Sequence, residues 1–139
     1  MTGRTCFRAG SWILMVLAAF HLIGHFQQPV PLNDTERQLF QLMNTYQRDL
    51  MGSMRTTTEL LNGFSLTFSI LPAGIAMLNL MLAGRFRGDA DMLRSAARIN
   101  AAIWGGMLVN SLVYWFAAPT VFVAAATLLF ALAALRIRR

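Results

Sequence analysis

From Leu60 to Ala83, and again from Ile99 to Leu135, the chain carries no charged side chain. Uncharged stretches of that length constrain the fold more than any other feature. Roughly twenty consecutive apolar residues are what an α-helix needs to cross the hydrocarbon core of a bilayer. A backbone in lipid must satisfy its own hydrogen bonds, so such segments fold as helices. Composition agrees, with 56% of residues hydrophobic, 13% charged and a mean hydropathy of +0.51. A soluble domain of 139 residues would have too few polar groups here to cover its surface. By length the chain is one domain.

Four spans are expected, at about residues 10–26, 60–83, 96–118 and 119–135. Residues 1–9 read as a short basic leader with Arg4 and Arg8. A cleaved signal peptide is the competing reading of this start, but no small-x-small cleavage site follows the apolar core. Pro29 and Pro31 end the first helix. Asn33-Asp34-Thr35 then supplies N-cap side chains for a short amphipathic helix with Leu39, Leu42, Met43 and Tyr46 on one side. Such a helix lies in the interface plane or caps the bundle. Gly52-Ser53 breaks it, and Thr56-Thr57-Thr58 with Glu59 opens the next helix. Pro72 removes one backbone hydrogen bond within the second span and predicts a kink there. Ala117-Ala118-Pro119 leaves almost no loop between spans three and four, with Pro119 in the first turn of the last helix. The expected fold is all-α: an antiparallel four-helix transmembrane bundle with a short extracytoplasmic amphipathic helix between spans one and two.

The net charge of +6 comes from arginine alone, since the chain has no lysine. These arginines flank apolar segments and form no surface interleaved with aromatics, which argues against a nucleic-acid partner. They read instead as a topology signal. Arg4, Arg8, Arg85, Arg87, Arg94, Arg98, Arg136, Arg138 and Arg139 fall on one side, and Arg37, Arg48 and Arg55 on the other. Nine against three places both termini in the cytoplasm of a bacterial inner-membrane protein. Cys6, the single cysteine, has no partner for a disulfide. No internal repeat points to an inverted-repeat transporter.

Polar groups inside spans are costly and face the bundle interior. His21 and His25, the only two histidines, stand one turn apart on one helical face. Span two carries Glu59, Asn62, Ser65 and Ser69 as a stripe, and span three carries Met107, Asn110, Ser111 and Tyr114. Chain direction brings the three stripes together in the outer half of the bundle. His21, His25, Glu59, Asn62, Asn110 and Tyr114 are therefore the candidate ligand-binding residues, with a histidine as base, Glu59 as its partner and the others orienting a substrate. The structural alternative is that these groups only hydrogen-bond between helices. A zincin motif is excluded, because Leu22-Ile23-Gly24 stands between the histidines. Two histidines on one turn also cannot take opposite faces of a haem iron, although one alone could be an axial ligand. No cofactor and no metal site are expected. Haem or metal through His21 or His25 is the remaining alternative.

Three stretches, Ala18-Ala19-Phe20-His21-Leu22-Ile23-Gly24, Gly63-Phe64-Ser65-Leu66 and Tyr114-Trp115-Phe116-Ala117-Ala118-Pro119, resemble a family of small bacterial four-span integral membrane proteins without an assigned activity. The resemblance covers most of the chain. It implies the four-helix architecture and more weight on His21 than on His25, while Glu59 lies outside the pattern. The function expected is non-enzymatic: binding of a lipid-like ligand, or of a membrane-protein partner, in the outer half of the bundle. The alternative is a membrane-embedded isomerase or cyclase acting on a lipid or terpenoid by His/Glu acid–base chemistry.

Overall fold

A computed structural model of the chain describes residues 1–27, 29–86 and 88–137. Of the arginines that set the expected orientation, Arg87, Arg138 and Arg139 lie outside the described residues. The fold is helical, with five helices and one small hairpin of strands among those residues.

Helix α1 runs over Gly3–His25, so the leader is helical rather than a separate tail. The Thr2 hydroxyl caps it by accepting from the Thr5 amide at 3.2 Å. Arg4 and Arg8 stay exposed, while Gly3, Cys6, Phe7 and Gly10 are buried. Over these first turns one face is buried and the arginines occupy the other.

Helix α2 (Asp34–Thr45) has the expected Asn33 cap, whose Oδ1 accepts from the Glu36 amide at 2.9 Å. None of its residues is buried. The sequence reading carries this helix to Gly52, and here the structure differs. Strands β1 (Gln47–Leu50) and β2 (Ser53–Thr56) pair antiparallel, with Leu50 opposite Ser53. The turn between them takes positive φ at Met51 (55°) and Gly52 (89°), the backbone of a two-residue hairpin turn. Asp49 Oδ1 accepts from the Gly52 amide at 2.7 Å and fixes it.

Helix α3 (Thr57–Arg85) opens on a reciprocal capping box between Thr56 and Glu59 and contains the buried Pro72. Helix α4 (Ala90–Tyr114) starts six residues earlier than expected, because Asp89 caps it by accepting from the Met92 amide at 2.8 Å. It ends at Tyr114 rather than 118. Trp115 and Phe116 form the turn into α5 (Ala117–Arg136), where Pro119 sits in the first turn as read.

α1 packs between α3 and α5, and α4 packs on α5. The pairing of α1 with α5 is antiparallel: Phe7 meets the Phe130 ring edge-on at 5.6 Å, and Phe20 meets Phe122 at 5.9 Å. α4 and α5 are tied at both ends, by Ser111 Oγ to Thr120 Oγ1 (2.6 Å) and by Arg94 Nε donating to the Ile137 carbonyl (2.7 Å). The core between these helices holds Leu14, Leu93, Trp104, Val123 and Phe130.

Three helices are long and apolar enough to cross a membrane: α1, α3 and α5. The expected count was four. α4 has the length, but Asp91, Arg94, Arg98, Asn100 and Asn110 make it less apolar than the other three.

Candidate functional site

α3 and α4 are joined near their connecting turn by a buried amide pair. Asn79 Nδ2 donates to Asn100 Oδ1 at 2.8 Å, and Asn100 Nδ2 donates back to Asn79 Oδ1 at 3.1 Å. Away from this clamp the two helices hardly touch. Pro72, which cannot donate to the Phe68 carbonyl four residues back, lies on the open stretch of α3. A cavity of about 1070 Å³ fills the space between the helices there, on the side of α2 and the hairpin.

The cavity wall is apolar and rich in rings. Leu17 and Phe20 of α1, Phe68 and Ile75 of α3, Trp104 and Met107 of α4, and Trp115 and Phe122 at and beyond the α4–α5 turn all line it. No charged side chain lines it among the described residues. Its polar side chains are His21, His25, Ser65 and Tyr114, besides the two indoles. Ser65 Oγ lies 3.2 Å from His21 Nε2, joining α3 to α1. The His21 ring also meets Phe68 at 5.9 Å, and Phe68 meets Trp115 edge-on at 5.1 Å. An aromatic row thus runs from α1 across α3 to the α4–α5 turn. The Trp104 indole N–H is buried in the wall with no acceptor among the described residues.

Of the sequence candidates, His21, His25 and Tyr114 come together around this cavity, and Glu59, Asn62 and Asn110 do not. The Glu59 carboxylate accepts from the Thr56 amide at 2.8 Å, so it caps α3 instead of meeting a histidine. α3 buries nothing before Ser69, which leaves Asn62 exposed. On α4 the inward position belongs to Ser111, buried against Thr120, and Asn110, one residue earlier, turns about 100° away and is exposed. Among the described residues, no three His, Cys, Asp or Glu side chains cluster as a metal site.

Sequence reasoning missed the Asn79–Asn100 clamp and the aromatic row. Two amides inside uncharged segments on either side of a short turn were the available signal for the clamp. Nothing in the spacing announced the row, because aromatic side chains are scattered through the spans. No known protein family, characterised protein or solved structure matches the chain.

Proposed function

We propose that the chain is an integral protein of the bacterial inner membrane that binds a lipid-like ligand in the cavity between α1, α3, α4 and α5. In this reading α1, α3, α4 and α5 all span as an antiparallel four-helix bundle. Both termini are cytoplasmic, and α2 and the hairpin lie outside. The excess of arginine at the end of the helices where α3 turns into α4 supports that arrangement. So does the outer surface, where Trp12, Ile23, Phe64, Ile70, Val109 and Leu112 are all exposed. Apolar patches of that kind on a soluble monomer would be a liability.

One observation carries the ligand-binding reading: a cavity of about 1070 Å³ walled by apolar and aromatic groups, with a few polar groups and, among the described residues, no charged side chain. Ligand pockets have this make-up and a volume of roughly 300–1,000 Å³. The acid–base alternative needs a carboxylate facing His21 or His25, and Glu59 is engaged as a helix cap.

Native mass spectrometry of the protein released from mild detergent tests the proposal. A stoichiometric bound mass is expected. It should be lost in Gly24→Phe, because Gly24 lines the cavity and a Cβ there meets nothing within 4 Å. Protein that carries no bound mass in detergent or in nanodiscs would overturn it.

A further inference from the structure

We infer that the ligand of this cavity is a lipid-soluble quinone, held in its oxidised and its reduced form by the His21–Ser65 pair. The inference rests on the proposed reading of the cavity as a ligand site.

Charge comes first. No Arg, Asp or Glu lines the cavity among the described residues. An ionic headgroup would therefore enter a low-dielectric space without a counter-charge, which is strongly unfavourable. That selects a neutral head and disfavours phospholipids. Shape comes second. Phe68 stands between the His21 ring at 5.9 Å and the Trp115 ring at 5.1 Å, and planar heads pack well against such walls by stacked or edge-on contacts.

Hydrogen-bond polarity decides the class. Ser65 Oγ engages His21 Nε2 at 3.2 Å, and among the described residues the other ring nitrogen, Nδ1, has no partner. If the Ser65 hydroxyl donates to Nε2, the proton sits on Nδ1, which then donates to a carbonyl. If Nε2 carries the proton and donates to Ser65 Oγ, Nδ1 becomes an acceptor for a hydroxyl. Shifting one proton between ring nitrogens and rotating one hydroxyl therefore reverses the polarity offered to the ligand, with no change in net charge. An arginine or a backbone N–H can donate to either oxygen but can accept from neither, so it would leave the hydroxyl's proton unpaired. A head that alternates between carbonyl and hydroxyl at one position on a neutral planar ring is a quinone/quinol couple. His25 and Tyr114 line the same cavity and offer hydrogen bonds to the second ring oxygen. The apolar tail has its exit between α3 and α4, on the open side of the Asn79–Asn100 clamp.

The test titrates the full chain in phosphatidylcholine nanodiscs with decylubiquinone and decylubiquinol, following tryptophan quenching and calorimetry, with dioleoylglycerol as the neutral lipid that lacks a ring. Saturable binding of both redox forms is expected. It should weaken by about tenfold in His21→Phe, the worth of one hydrogen bond. Ser65→Ala, which removes only the partner hydroxyl, should shift the ratio of the two affinities and guards against a folding defect in the first variant. Quinone binding unchanged by either variant would overturn the assignment. Binding of dioleoylglycerol alone would overturn the quinone class and leave the lipid-ligand reading standing. Failure of every probe, with no bound mass in the native spectra, would overturn both.

Discussion

Gly3 and Gly10 let α1 lie against α5 at two levels. A Cβ at Gly10 would stand 3.1 Å from the Phe130 ring, and one at Gly3 would stand 2.5 Å from the Ile137 nitrogen. The Phe130 ring is already held edge-on by Phe7, so it has little room to give. Gly10→Val is expected to destabilise the protein by about 1–3 kcal/mol through overpacking. The check is its unfolding midpoint in a denaturing-detergent titration, with Gly24→Val, where the space is open, as the neutral control. Equal midpoints would mean that the α1–α5 contact yields. Glu59 is separable in the same way. As a cap it tolerates Glu59→Gln, which keeps the capping-box geometry, while Thr56→Ala loses the cap and about 1 kcal/mol. As an acid or base it would not tolerate glutamine. Unchanged stability and ligand retention in Glu59→Gln is the expected result, and a loss of retention alone would return Glu59 to the site.

The Asn79–Asn100 clamp is the contact that holds α3 to α4 below the cavity. Its worth is best read from a double-mutant cycle on Asn79→Ala and Asn100→Ala. The coupling expected is about 0.6–1.7 kcal/mol, from the mean to the maximum found by such cycles for hydrogen bonds between membrane helices. Asn100 keeps a bond to the Ala96 carbonyl at 2.9 Å when Asn79 is removed. Additive losses would show that the two amides do not work as a pair. The clamp also marks where sequence reasoning stops. The presence of the helices, though not all their ends, the Asn33 cap, the Thr56 start of α3 and the place of Pro119 were legible because each follows from local chemistry along one segment. The hairpin at 47–56 was not, since its strands are short and polar and its turn begins with Met51 instead of the asparagine or aspartate such turns favour. The site divides in the same way. The level of His21 and His25 was legible because chain direction fixes it, whereas helix rotation decides that Ser65 faces His21 and that Asn62 and Asn110 face away. Rotation is set by packing partners that periodicity does not name.

α4 is the helix on which the whole topology depends, because it is the least apolar of the four long ones. Its polar groups are nevertheless largely matched within the protein. Asn100 pairs with Asn79, Ser111 with Thr120, and Arg94 with the Ile137 carbonyl and Asp91. Hydropathy counts these residues as if they faced lipid, and a polar group satisfied inside the protein does not bear that cost. α4 is therefore expected to span with the others. Single cysteines introduced in a Cys6→Ala background at Ser53 in the hairpin, Gly88 in the α3–α4 turn and Ala117 at the start of α5 test this in whole cells with a membrane-impermeant maleimide. Ser53→Cys and Ala117→Cys should label in intact cells, and Gly88→Cys only after permeabilisation. Protection of both Ser53→Cys and Ala117→Cys, with Gly88→Cys labelled, would reverse the orientation. Protection of Ala117→Cys alone would mean that α4 does not cross, and the cavity would then lose the wall that Trp104 and Met107 give it.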